Sequence, residues 1–87
     1  MAESIDDRIN DVMKIAKEDG VSVGIHLNIH SSPKNTKIAT EMGSWHIVAC
    51  DIDDAGKSFS EGAVGTNPMR AYNEALRRLR YQQEVKA

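Results

Sequence analysis

The sequence predicts a small α+β domain with the element order α-β-β-β-α, in which two helices pack on one face of a three-stranded antiparallel sheet. Apolar residues recur at helical spacing near both ends of the chain and at a spacing of two between them. Placing both helices on one face buries both helical stripes and needs only short connections. The 87 residues suffice for one core, so we expect a single domain spanning residues 1–87.

The first third of the chain predicts a helix followed by a strand. Ser4 is expected to cap the helix, with Asp7 completing a capping box, and Gly20 is expected to end it. The apolar stripe of this helix comprises Ile5, Ile9, Val12, Met13 and Ala16. From Val21 to Ile29 apolar and polar residues alternate strictly, which predicts a strand with one face on the core.

The middle of the chain predicts two further strands joined by a hairpin turn. A proline-containing loop occupies residues 31–35, and Thr36–Met42 fits either an extension of the sheet or a helical turn. A second strand is expected from Trp45 to about Ile52, and a third, weaker one from Lys57 to Glu61. Between them, Asp53–Gly56 has the polar residues and the glycine of a hairpin turn.

The last predicted element is a helix. Gly62–Gly65 is expected to lead out of the third strand, Thr66 or Asn67 to cap the helix, and Pro68 to take its first position. We expect both helices and the first strand to share one core, formed by Ile9, Val12, Ile25, Leu27, Tyr72, Leu76 and Leu79.

Composition excludes several classes of protein. Cys50 is the only cysteine, so neither an internal disulfide nor a multi-cysteine metal site can form. The sequence has no apolar run of about 18 residues that could cross a membrane. The acidic start of the chain lacks the apolar core of a secretory signal. We therefore expect a cytoplasmic protein that makes no contact with a membrane.

No residue pattern predicts catalysis, a metal site or a bound cofactor. Asp51–Gly56 begins like a calcium loop but lacks the oxygen ligands of its later positions. His26 and His30 share one face of a strand roughly 13 Å apart, too far for one metal ion, although His46 could approach one of them across the sheet. His46 and Cys50 share a face without an acid placed to orient the histidine. We therefore expect a protein that is not an enzyme.

The second strand provides the first candidate binding surface, because it is apolar on both sides. Trp45, Ile47 and Ala49 lie on one face, and Val48, Cys50 and Ile52 lie on the other. Helices can cover only one of these faces, and the uncovered one would present an apolar strip unless residues 36–42 fold over it. Trp45, Val48 and Ile52 are therefore the candidate protein-binding residues, for a protein partner or for a homodimer formed through the sheet.

The second candidate surface is basic. Residues 1–20 contain six acidic and three basic residues, whereas residues 67–87 contain five basic and two acidic ones. The candidate nucleic-acid-binding residues are Arg70, Arg77, Arg78 and Arg80, with Tyr81 beside them. Cations near a helix C-terminus also interact favourably with the helix dipole, so a solvated helix end is the alternative interpretation.

Two resemblances add to these patterns. The element order, together with Gly62–Gly65 and the apolar residues that follow it in the last helix, resembles the double-stranded-RNA-binding domain. These apolar residues are Ala71, Ala75, Leu76 and Leu79. The resemblance implies binding of duplex RNA through the first helix, a loop between strands and a basic start of the last helix, where Arg70 is the matching cation.

With Trp45, Asp51 and Gly56 added, residues 45–80 are also similar to small accessory proteins of phages and mobile elements and to HicB-type antitoxins. This similarity implies a protein that acts by binding another macromolecule. We therefore expect a non-enzymatic, phage-type accessory protein that inhibits or adapts a host protein. A nucleic-acid-binding domain of the dsRNA-binding type is the alternative.

Overall fold

The computed structural model describes residues 4–28 and 44–86. The elements in chain order are α1 (Ile5–Asp19), β1 (Ser22–Asn28), β2 (Ser44–Ile52), β3 (Ser58–Gly65) and α2 (Pro68–Lys86). The described strands form one antiparallel sheet in the order β1-β2-β3, so β2 is central among them and the other two strands are the edges. The predicted α-β-β-β-α fold is confirmed.

Helix α1 begins and ends where the sequence predicts. The Ser4 hydroxyl accepts a hydrogen bond from the Asp7 amide at 3.1 Å, and the Asp7 carboxylate accepts one from the Ser4 amide at 3.4 Å. At the other end Gly20 adopts a φ of +75°, a conformation that costs a residue with a side chain far more. The chain therefore reverses in one residue and enters β1 almost at once.

Both helices cover the same face of the sheet. One continuous core cluster joins α1, α2, β2 and β3 through Val12, Ala16, Ile47, Ala49, Phe59, Ala63, Ala71, Tyr72, Ala75 and Leu79. Trp45 and Ile47 of the central strand are fully buried. The core is therefore centred on β2, and both described helices lie on one side of the sheet.

The predicted core needs one correction. Val12, Tyr72 and Leu79 are buried as expected, whereas Ile25 and Leu76 are only partly buried against the cluster, and Ile9 and Leu27 are half-buried. For Ile25 and Leu27 the reason is position: the strictly alternating β1 is an edge strand, while the central β2 has the less regular pattern.

Strand β3 and helix α2 are both longer than predicted. Gly62–Gly65 continues β3 and is not an exit loop, because Ala63 packs in the core opposite Ile47. Asn67 caps α2, accepting hydrogen bonds from the amides of Met69 and Arg70 at 3.0 and 3.2 Å. The helix then runs to Lys86, so residues 77–80 lie in its middle, beyond the reach of a dipole effect at its C-terminus.

The connection between β2 and β3 is the predicted hairpin turn. One carboxylate oxygen of Asp53 accepts hydrogen bonds from the amides of Ala55 and Lys57 at 3.0 and 2.8 Å. Gly56 has a φ of +83° and donates to the Asp53 carbonyl. The Asp53 side chain therefore stabilises the turn.

Some predictions lie outside the described residues. They concern Ile29, His30, the loop at residues 31–35 and the segment Thr36–Met42. Neither of the two described helices combines the length and the hydropathy needed to cross a membrane.

Candidate functional site

The face of the sheet opposite the helices, which we call the open face, is formed by alternate residues of all three strands. Register places on it Ser22, Gly24, His26 and Asn28 of β1, Ser44, His46, Val48, Cys50 and Ile52 of β2, and Ser58, Ser60, Gly62 and Val64 of β3. None of these is Asp, Glu, Lys or Arg, although 28% of the chain is charged. Charged residues are depleted at the centres of protein interfaces, so this composition is typical of a contact surface.

Exposed apolar side chains are part of this face. Ile52 and Val64 are each 67% exposed, and Val48 is half-buried. Val64 is the register partner of His46, and Val48 is the next open-face residue along β2. A partner that covers this face would remove all three apolar side chains from water.

Trp45 does not belong to the open face. Its side chain is fully buried with Ile47 and Ala49 on the face that the helices cover. Of the three candidate protein-binding residues, Val48 and Ile52 are therefore on the open face, and Trp45 is a core residue. Its indole nitrogen is buried without a hydrogen-bond partner among the described residues.

His46 and Gly62 fit each other on the open face. A Cβ atom built on Gly62 would lie 2.9 Å from Nε2 of His46 and 3.3 Å from a methyl group of Val48. The imidazole therefore lies over β3 in space that a side chain at position 62 would take. His26 is the direct register partner of His46 on the other side. Within the part of the chain that the structure describes, no three potential ligands converge on a metal position.

The described residues line two concave features. One has a volume of about 300 Å³ at the end of the open face and is lined by Gly20, Ser22, Cys50, Asp51, Ile52 and Ser58. His46, the histidine that shares a strand face with Cys50, is not among its lining residues. The other, of about 170 Å³, lies between α1 and the start of α2 and is lined by Arg8, Asp11, Val12, Asn67, Pro68 and Met69.

The four candidate nucleic-acid-binding arginines differ in their surroundings. Arg70 is exposed in the first turn of α2. Arg77 pairs with Glu74, whose pKa its hydrogen bonds hold below the ordinary value. Arg78 donates to Glu74 at 3.1 Å and to the main-chain oxygen of Gly62 at 2.8 Å. Two of the four side chains therefore share a carboxylate partner.

The fourth arginine, Arg80, links α1, β2 and α2 at one end of the fold. It donates to the carboxylate of Asp51 at 2.9 Å and to the main-chain oxygen of Asp19 at 3.1 Å. Hydrogen bonds lower the pKa of Asp51, the largest effect coming from Gln83 and the next from Arg80. The Tyr72 hydroxyl donates to Asp19 at 2.6 Å, and burial together with this bond raises the pKa of Tyr72. Arg80 therefore has a structural role.

The sequence did not predict that β3 contributes residues to the open face. The glycines of Gly62–Gly65 indicated a loop, although Ser58, Ser60, Gly62 and Val64 alternate with residues of the covered face. This alternation could have indicated that the strand continues, but it is a weak pattern because most of these side chains are small.

No protein-family model, no curated protein and no solved structure matches this chain.

Proposed function

We propose that this chain is a non-enzymatic binding protein that contacts a protein partner through the open face of its sheet. The observation that carries the proposal is the composition of that face, which lacks charge and exposes Val64 and Ile52. Burial of apolar surface contributes about 25 cal/mol per Å² to association, and an uncharged face adds no cost for removing ions from water.

The size of the open face indicates how strong this contact would be. Three strands spaced roughly 4.8 Å apart, each of about eight residues rising roughly 3.3 Å per residue, cover about 380 Å² of flat area. A standard interface buries about 800 Å² on each partner. The open face therefore suits a weak, reversible contact, as a regulator makes.

We propose a host protein as the partner, which the chain inhibits or adapts. This part of the proposal rests only on the sequence pattern of residues 45–80, which resembles that of phage and mobile-element accessory proteins. The matching surface on that protein would be apolar and uncharged, since a charged side chain pressed onto the open face would lose its water without gaining an ion pair.

Affinity purification with matched variants tests the proposal. Val64→Asp places a charge on the open face, and Val85→Asp places the same charge on α2 at a similar exposure, 62% against 67%. We expect the wild-type chain and Val85→Asp to retain a common protein that Val64→Asp loses. Purified, that protein should still bind between about 50 and 500 mM salt, because few ions are displaced. Equal retention of every protein by all three chains would refute the proposal.

Binding of duplex RNA is the second candidate function. Its support is the element order, which matches that of the double-stranded-RNA-binding domain, and the placement of Arg70 and Arg77 seven residues apart on one side of α2. Arg78 and Arg80 are less suited to phosphate, since each also donates to a main-chain oxygen of another element, whereas among the described residues Arg77 pairs only within α2, with Glu74. In a mobility-shift assay at low salt and micromolar protein we expect no complex. A salt-sensitive complex that the double variant Arg70→Ala, Arg77→Ala abolishes would favour this alternative.

A further inference from the structure

We infer that β1 is the contact of a symmetric dimer, in which its outer edge pairs with β1 of a second copy in antiparallel orientation. Two three-stranded sheets would then become one sheet of about six strands, with both helix layers on the same side. This contact uses an edge of the sheet and leaves the open face free, so it is independent of the function proposed above.

Within residues 22–28, strand β1 has none of the sequence features that protect an edge from pairing. Natural edge strands are shielded by charged side chains, proline or bulges. Ser22–Asn28 contains no charged residue and no proline, and its register with β2 runs without interruption. Among the described residues, no turn, loop or cap hydrogen bond involves the main chain of β1.

The opposite edge of the sheet is different. Arg78 of α2 donates to the main-chain oxygen of Gly62 on β3, and Gln82 donates to the Glu61 side chain at 3.0 Å. Strand β3 therefore carries a charged residue and has helix side chains bonded to it. This contrast makes β1 the edge that is suited to a second copy.

Burial on the covered face shows where the helix layer stops. Ile25 is the register partner of Ile47, which is fully buried, yet Ile25 itself is only partly buried. Leu27 and its buried partner Trp45 show the same difference. The helices thus cover β2 completely and leave the apolar side of β1 half-open, which a second sheet and its helices would complete.

Helix α1 contributes exposed apolar surface on the same side of the molecule. Arg8, Asp11 and Val12 line the cavity shared with α2, so they mark the flank of α1 that faces α2. Met13 is two residues after Asp11, about 200° around the helix, and therefore lies on the opposite flank. It is 53% exposed. In the dimer, Met13 of each copy would lie at the α1–α1 contact.

The sequence of β1 is complementary to itself when the two-fold axis passes through Ile25, the middle residue. Ile25 then faces Ile25 of the second copy, and Val23 faces Leu27, so apolar residues meet on the covered face. On the open face His26 faces Gly24, and a Cβ built on Gly24 meets no described residue within 4 Å. The gap at Gly24 therefore leaves room for the imidazole of the second copy.

Sedimentation equilibrium with two lysine variants tests the dimer. We expect the wild-type chain to sediment as a dimer at tens of micromolar. Ile25→Lys places two like charges opposite each other on the axis and should raise the dimer dissociation constant at least about tenfold. Val64→Lys, on the open face, should leave it unchanged. A wild-type monomer at about 200 μM, or a dimer that Val64→Lys weakens as much as Ile25→Lys, would overturn the inference.

Disulfide trapping tests the register without destabilising the fold, in a Cys50→Ser background. Ile25→Cys should cross-link two copies on mild oxidation, because opposed Cα atoms in an antiparallel pair lie about 4.5–5.5 Å apart, within the range of a disulfide. Leu27→Cys should not, since positions 27 would be separated by about four residues of strand, roughly 13 Å. Equal trapping of both variants, or of neither, would contradict this pairing. A monomer with slowly exchanging β1 amides would show that another segment of the same chain covers the edge.

Discussion

Truncating the two isoleucines that face each other across β1 and β2 provides a direct test of the sheet order. Ile47→Ala removes a fully buried side chain of the central strand, and Ile25→Ala removes its half-covered partner on the edge strand. The chemical change is identical at both positions. Only the extent of burial differs, so the difference in cost measures where the core is centred.

The expected magnitudes follow from burial. Truncating a buried isoleucine to alanine costs about 2–5 kcal/mol, and we expect about 3 kcal/mol at Ile47, against about 1–2 kcal/mol at the partly covered Ile25. At about 0.05–0.15 kcal/mol per residue, an 87-residue chain has a total stability of about 4–13 kcal/mol. Ile47→Ala should therefore lower the Tm by roughly 12–24 °C.

Urea unfolding followed by tryptophan fluorescence measures both costs. Trp45 is the only tryptophan and is fully buried in the folded chain, so its emission reports the loss of the core even at submicromolar protein, where dimers contribute little. Equal penalties at the two positions, or a larger one for Ile25→Ala, would contradict the assignment of β2 as the centre of the core.

Three further variants test local contacts. Asn67→Ala removes the cap of α2 and should cost about 1 kcal/mol in urea unfolding, whereas Asn67→Asp should be nearly neutral; similar costs for both would exclude the cap. The lowered pKa of Asp51 means that its contacts with Gln83 and Arg80 stabilise the fold above pH 3.8 and are lost as the pH falls below that value. Asp51→Asn should therefore flatten the acid limb of a pH–Tm profile, and an unchanged limb would contradict the assignment. Because the pKa of Tyr72 is raised, its protonated hydroxyl stabilises the fold up to about pH 10, and this stability is lost as the pH rises further. Tyr72→Phe should therefore be less stable than the wild-type chain at neutral pH, and its Tm should fall less steeply at alkaline pH. An identical alkaline limb would exclude that role.

The fold was predictable where residues close together in the sequence determine the element, as helix caps and apolar alternation do. Ser4, Asp7 and Gly20 define α1 by capping alone, and the strict alternation after Val21 defines β1. The end of β3 was not predictable in this way, because Gly62 is typical of a loop when considered alone. A Cβ atom at position 62 would lie 2.9 Å from the imidazole of His46, a residue 16 positions earlier, and such long-range contacts leave no local signal.

The candidate site was predicted in part, for a related reason. Apolar residues on both sides of the second strand indicated two possible surfaces, and the sequence left open which one the helices cover. The packing decides this, since Trp45 is buried and Val48 is on the other side. The role of Arg80 also depends on tertiary structure, because Asp51 lies 29 residues away and Asp19 lies 61 residues away along the chain.

The hydrogen bond from Arg78 to Gly62 has a consequence for how far assembly can proceed. A sheet with two open edges can add molecules at both ends without limit and so polymerises into a fibre. A sheet that can add a neighbour at one edge stops at two copies, since the pair has no open edge left. The Arg78 guanidinium, bonded to β3, would thus prevent a further molecule from adding at that edge. Arg78→Ala would remove this barrier to filament growth and leave the β1 pairing intact.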